Sequence, residues 1–232
     1  MNKYYKKLNF VKSEVEKYLG EIFKVYGNEL LLRLEEYNLL TNQNNCIETS
    51  TATGFIMEEF IVSKLETYTS SHNGINQIKI RRENSHSTTN SSYDCFAIYD
   101  EIFVMINVKV QKEKSSNNAI AAINILHNDY VSVNPEQQKA YLILKTFYNF
   151  GLSKNDSQRK ILIKGIDSFY LEELDFSSGH KQDHRNWSIN FNSNSGRLQV
   201  STTWKKEHML KEDEISYFKT KEFIDIIYNK ES

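Results

Sequence analysis

The stretch 93-YDCFAIYDEIFVMINVKVQ-111 constrains the fold more than any other part of the chain. It reads as a strand, a tight turn and a second strand. Side chains alternate faces along a strand, so Asn107 and Lys109 point the same way. With Asp100-Glu101 as a two-residue turn, Asp94 lies directly across from Asn107. An acid, an amide and a lysine then gather on one face of an otherwise apolar hairpin. A one-residue shift of the turn changes the pairing, and Asp-Glu is not a favoured two-residue turn sequence.

Burying these three groups costs free energy unless they are paired or bind something. The plainer reading is an Asp94–Lys109 pair at a sheet end, with Asn107 satisfied by hydrogen bonds. The functional reading is a metal site, because a hard divalent cation takes oxygen ligands. Asp94 offers a carboxylate, Asn107 an amide oxygen, and the backbone carbonyl of Val108 lies between them. Lys109 then sits beside a metal-bound water, which it orients, or stabilises charge on a phosphate.

The rest of the chain supports a sizeable core. Of its 232 residues, 39% are hydrophobic, and one proline and eight glycines leave no low-complexity linker to divide it. A single domain over residues 1–232 is expected. Residues 3–39 carry helical periodicity with a break at Tyr26-Gly27-Asn28, so residues 1–40 read as a helical N-terminal lobe. Its apolar stripe serves either ordinary packing or a dimer interface. Residues 40–53 read as loop, 54–68 as a buried helix bearing Glu58 and Glu59, and 76–82 as a short strand. A helix start at 119–126, strands at 139–148 and 160–174 (the second interrupted at Gly165), and a helix at 212–230 complete the reading. The class is α/β, with a central mixed sheet flanked by helices.

No run of 18 apolar residues exists, so no membrane span is expected. The N-terminus lacks the features of a signal peptide. Cys46 and Cys95 cannot form a metal cluster by themselves, and reduced thiols in the cytoplasm are the default. A formal net charge of -1 argues against a generic nucleic-acid coat, though not against one basic cleft on an acidic exterior.

The sequences S-Y-D ending at Asp94 and I-N-V-K ending at Lys109 resemble the signature of PD-(D/E)XK nucleases. There an Asp on one hairpin strand precedes (Asp/Glu)-x-Lys on the next. The surroundings resemble the HincII/EcoRV-like group of blunt-cutting type II restriction endonucleases. A polar, basic segment and then a helix follow the hairpin. Upstream, 54-GFIMEEFIVSKL-65 is similar to that group's acid-bearing helix, with Glu58 on the acid. Residues 166-IDSFYLEEL-174 add a further match, and the resemblance covers residues 54–190.

The resemblance implies a restriction-endonuclease-like fold and a bacterial, cytoplasmic, homodimeric enzyme of a restriction–modification system. It would hydrolyse double-stranded DNA at a palindromic site, leaving 5′-phosphate and 3′-hydroxyl ends, blunt within this group. Asp94, Asn107, Lys109 and Glu58 would be catalytic. Asp94, Asn107, the Val108 carbonyl and Glu58 would hold Mg²⁺, with Mn²⁺ as an alternative and Ca²⁺ as a non-catalytic substitute. No small-molecule cofactor is implied. Asn107 departs from the pattern, because the family places a carboxylate there. Either Glu58 supplies the missing charge, or an Asp→Asn change disabled the site, or the protein is a DNA-binding relic on a nuclease-like fold. A structure-specific repair nuclease of the same fold is the remaining alternative.

Two segments are candidates for DNA contact. Lys112, Lys114, Ser115, Ser116, Asn117 and Asn118 follow the hairpin and suit phosphates and base edges. Residues 178–198 contribute Lys181, Gln182, Arg185, Asn186, Asn190 and Arg197. Asn and Gln read adenine and Arg reads guanine, so the excess of amides suits an A·T-rich site. His180 and His184 have a helical zinc spacing but lack a third ligand nearby.

Overall fold

The computed structural model describes residues 2–31, 50–71, 77–82, 91–113, 119–156, 159–183 and 196–229. The hairpin forms in the expected register. Strand β2, Cys95–Tyr99, pairs antiparallel with β3, Ile102–Lys112, and Tyr99 stands opposite Ile102. Asp100 and Glu101 make the turn, both left-handed, at φ +50° and +70°. Two successive positive φ angles match the twist of a tight hairpin, at a steric cost of ~1–2 kcal/mol per non-glycine residue. Lys7 forms an ion pair with Asp100 at 3.1 Å.

On its other side β3 pairs in parallel with β5, Lys139–Leu152. Antiparallel pairing then adds β6, Arg159–Tyr170, and the short β1, Glu29–Leu30. The result is a five-stranded mixed sheet, ordered β1-β6-β5-β3-β2.

Helices α1, Lys3–Val25, and α2, Ser50–Ser71, cover one face. The Asn2 side chain caps α1 by accepting the Tyr4 N–H at 3.0 Å. Leu8, Val11, Val15, Leu19 and Ile22 recur at helical spacing, and their burial places the apolar face of α1 in the main core. There they join Ile61 and Leu65 of α2 and Val104, Ile106 and Val108 of β3.

The opposite face is built around Met105, Tyr141, Ile143 and Phe169. It is covered by α3, Ile123–His127, and α5, Tyr217–Asn229. A small second sheet lies on the same side, ordered β4 (Ala119–Ala122), β8 (Arg197–Gln199), β7 (Lys181–Asp183). A π-helical turn, Asn128–Ser132, follows α3, and the short α4, Thr202–Glu207, precedes α5. The chain is thus an α/β fold with a central mixed sheet and helices on both faces. No helix among the described residues is long and apolar enough to cross a membrane.

The structure corrects several boundaries. α1 ends at Val25, at the expected break, but Glu29 and Leu30 beyond it are strand rather than helix, and residues 32–39 lie outside the described residues. Gly27 and Asn28, at φ +64° and +57°, turn the chain back so that Glu29 and Leu30 pair with β6. Residues 119–122 are strand rather than helix, because β8 offers them an edge to pair with. β6 runs through Gly165 without a break, since a bulge at Lys164 absorbs the register shift. Of the candidate strand 76–82, the described residues 77–82 contribute an isolated bridge, Arg81 to Phe96, rather than a strand. Helix α2 starts at Ser50, α5 at Tyr217, and α4 had no counterpart in the sequence reading.

A 3₁₀ turn, Leu171–Glu173, follows β6 and buries Glu172 completely. Glu172 accepts the Tyr141 N–H at 3.1 Å and the Tyr130 hydroxyl. Burial pushes its carboxyl up to about 7. The folded state therefore favours the protonated acid, and this group's contribution to stability falls as pH rises from the ordinary carboxylate range through that value. Glu172→Gln should flatten the stability profile between about pH 5 and about pH 8 by up to ~1.4 kcal/mol per pH unit. Urea unfolding across that range tests this, and an unchanged slope refutes it.

Candidate active site

β2 begins at Cys95, whereas its partner β3 runs on to Lys112. Past Ile106 the β2 side of β3 therefore has no neighbouring strand, yet its N–H groups still need acceptors. Two carboxylates provide them. Asp94 Oδ2 accepts the Val108 N–H at 2.7 Å, and Glu58 Oε1 accepts the Val110 N–H at 3.4 Å. Glu58 arrives from α2 and Asp94 from the residue preceding β2. Each acid commits one oxygen to the backbone and keeps a second.

Both carboxylates are half-buried, and their electrostatics are shared. Burial pushes the Asp94 carboxyl above its ordinary value, against the pull of Lys109, the Val108 N–H and Arg82. Burial also raises Glu58; the Lys109 charge lowers it and the Asp94 charge raises it further. Glu58, Asp94 and Lys109 thus form one electrostatic unit. Arg82 borders it. Its guanidinium donates to the Glu59 carboxylate at 2.8 Å and the Glu59 carbonyl at 3.3 Å, holding the turn of α2 that carries Glu58. Arg82 was not singled out as a site residue. Its only sequence signal was its place in the candidate strand 76–82.

Asn107 has different surroundings. Strand alternation puts it in the row of Met105, toward the second core, and it is 3% exposed. Its Nδ2 reaches the Ser92 carbonyl at 2.8 Å, the Ile120 carbonyl at 2.9 Å and the Tyr141 hydroxyl at 2.7 Å. Backbone carbonyls only accept, so this end of the amide must be the nitrogen. Its Oδ1 is buried and has no hydrogen-bond partner. An aspartate here would set a carboxylate against two carbonyl oxygens. Ser92 and Tyr141 complete this network, and neither carried a sequence signal.

The described ends of the two candidate DNA-contacting segments adjoin the small sheet. β4 begins directly after the first segment, while β7 and the start of β8 belong to the second. Lys112 lies at the end of β3 with its ammonium 5.7 Å from the Phe150 ring centre. Arg197 opens β8 and is exposed, and Lys181 and Gln182 stand on β7. Lys114, Ser115, Ser116, Asn117, Asn118, Arg185, Asn186 and Asn190 lie outside the described residues, as does His184.

No protein-family model matches this chain, and no curated protein matches it either.

Among the described residues no group of three or more His, Cys, Asp or Glu side chains gathers to hold a metal. A cation at the edge of β3 would rest on two carboxylates, Asp94 and Glu58, with neutral oxygens beside them. That donor set fits a hard divalent ion. Two acids whose charged forms are disfavoured by burial would gain from its charge, and the orphaned Asn107 oxygen is chemically suited to ligate it.

Asp94→Ala should leave the Val108 N–H without its acceptor and cost ~1–3 kcal/mol of stability. Asp94→Asn retains an accepting oxygen and should cost less. Equal stability of wild type and Asp94→Ala in urea unfolding would show that this bond does not hold the hairpin end.

Proposed function

We propose that this chain is a Mg²⁺-dependent endonuclease for double-stranded DNA, on a restriction-endonuclease-like fold. The observation that carries this reading is that Glu58 and Asp94 both cap the open edge of β3, with the Lys109 charge acting on each carboxylate. Two acids can hold a hard cation and a lysine beside them can stabilise charge on a phosphate, a combination suited to phosphodiester hydrolysis. Asp94 and Glu58 would hold the ion, with the Asn107 amide oxygen and the Val108 carbonyl as neutral donors. The ion would supply Lewis acidity at the scissile phosphate and a more acidic water.

The remaining steps belong to the chain's own side chains. Lys109 would orient the attacking water and stabilise negative charge developing on phosphorus oxygens. Lys112 would neutralise a neighbouring phosphate. The small sheet would present the two polar segments to the duplex, with Lys181, Gln182 and Arg197 among the reading residues. A two-fold dimer would match a palindromic site. The products would be a 5′-phosphate and a 3′-hydroxyl.

A DNA-binding protein that does not cut is the second reading, favoured by the absence of a carboxylate at residue 107. Digestion of a long, sequenced duplex with Mg²⁺ separates the two. Discrete bands identify a site-specific endonuclease. Smears without fixed ends favour a structure-specific nuclease. Salt-dependent binding without cleavage favours the non-cutting protein, and absence of both binding and cleavage sinks the DNA reading.

Lys109→Ala should abolish cleavage and leave DNA affinity within about tenfold, since this lysine acts mainly on the transition state. Cleavage at the wild-type rate in that variant would remove Lys109 from the mechanism.

A further inference from the structure

We infer that Asn107 is a positioning residue: its amide nitrogen fastens the small sheet to the hairpin and so fixes where Asp94 meets Glu58 and Lys109. The inference rests on the reading of Asp94 and Glu58 as a cation site.

The three acceptors around Asn107 Nδ2 come from separate parts of the chain. Ser92 lies two residues before Asp94, Ile120 lies in β4, and Tyr141 lies in β5. The Tyr141 hydroxyl accepts from Nδ2 and donates in turn to the Ser92 carbonyl, closing a ring of three groups. The Ser92 N–H is held as well, by Asp129 Oδ2 at 2.7 Å. The residues leading into Asp94 are thereby tied on both sides, to β3 and β5 through Asn107 and Tyr141, and to the π-helical turn through Asp129. The Asp94 N–H itself donates to the Ile106 carbonyl at 2.9 Å, and the fixed approach through Ser92 adds to this in holding the Asp94 carboxylate against the Val108 N–H.

The contact with Ile120 extends the connection. β4 emerges from the basic segment after the hairpin and pairs with β8, so a shift of the small sheet is felt directly at Asn107. A carboxylate could not do this work, because both carbonyls require a donor. The amide at residue 107 is therefore a requirement of the architecture rather than a lesion in an acidic position. Its oxygen, buried and without a partner, stays available on the other end of the same group.

The experiment compares wild type, Asn107→Asp and Tyr141→Phe in three measurements: thermal unfolding, Mn²⁺ binding by calorimetry, and exchange of the Asn107 side-chain amide protons by NMR. In wild type those protons should exchange at least about a hundredfold more slowly than exposed asparagine amides. Asn107→Asp should melt about 5 °C or more below wild type and gain no Mn²⁺ affinity. Tyr141→Phe, which keeps the amide but opens the ring, should stay folded and bind Mn²⁺ about tenfold more weakly.

A tenfold gain in Mn²⁺ affinity by Asn107→Asp at an unchanged melting temperature would overturn the proposal, making residue 107 an acidic position disabled by its amide. Exposed-like exchange of the wild-type amide would overturn it too, and decides the matter if Asn107→Asp does not fold. Should wild type bind no Mn²⁺, the cation reading itself falls. The amide exchange and the melting temperatures then still decide whether Asn107 fastens the two sheets.

Discussion

The open edge of β3 is the constraint on which the rest of the site depends. A strand with a covered face cannot leave its N–H groups without acceptors. Where β2 stops, Asp94 and Glu58 take the place of another strand. The same substitution brings two carboxylates into a half-buried position, which raises both. Backbone satisfaction and a concentration of acid are one arrangement. Lys109 sits where it tempers both charges, and Arg82 anchors the helix turn that delivers Glu58.

The two faces of the sheet contribute differently. α1 and α2 give the first face an aliphatic core whose role is packing, with Glu58 at its margin. The second face mixes apolar residues with a polar network of Asn107, Tyr141, Ser92 and the Ile120 carbonyl. Buried networks of this kind hold a geometry when every member is paired. Two of its atoms are buried without a partner, the Asn107 amide oxygen and the Ser92 hydroxyl.

The hairpin was legible because a two-residue turn fixes register, and register fixes which residues face one another. Asp100-Glu101 made that turn despite an unfavoured sequence, since the pairing of β2 with β3 outweighs the strain of two left-handed residues. Glu58 was legible from its helix and a resemblance. The donor role of Asn107 was not, because its partners lie on three other segments and no local pattern announces them. β4 was misread for a related reason. Ala-Ile-Ala-Ala carries no strand period, and only a distant edge, β8, draws it into a sheet. Glu29 and Leu30 likewise became strand through contact with β6, far along the chain.

The parallel pairing of β3 with β5 gives the site an order of assembly. β2 reaches β3 through a turn of two residues, whereas β5 arrives only after the chain has traversed β4, α3 and the π-helical turn. Local closure is entropically cheap and rapid, and distant closure is slower. The hairpin with Asp94 and Lys109 can therefore form while still bathed in water. Asp94 gains its neighbour Glu58 only when α2 docks, so the shared electrostatics of the two acids are a property of the assembled fold and not of the hairpin alone.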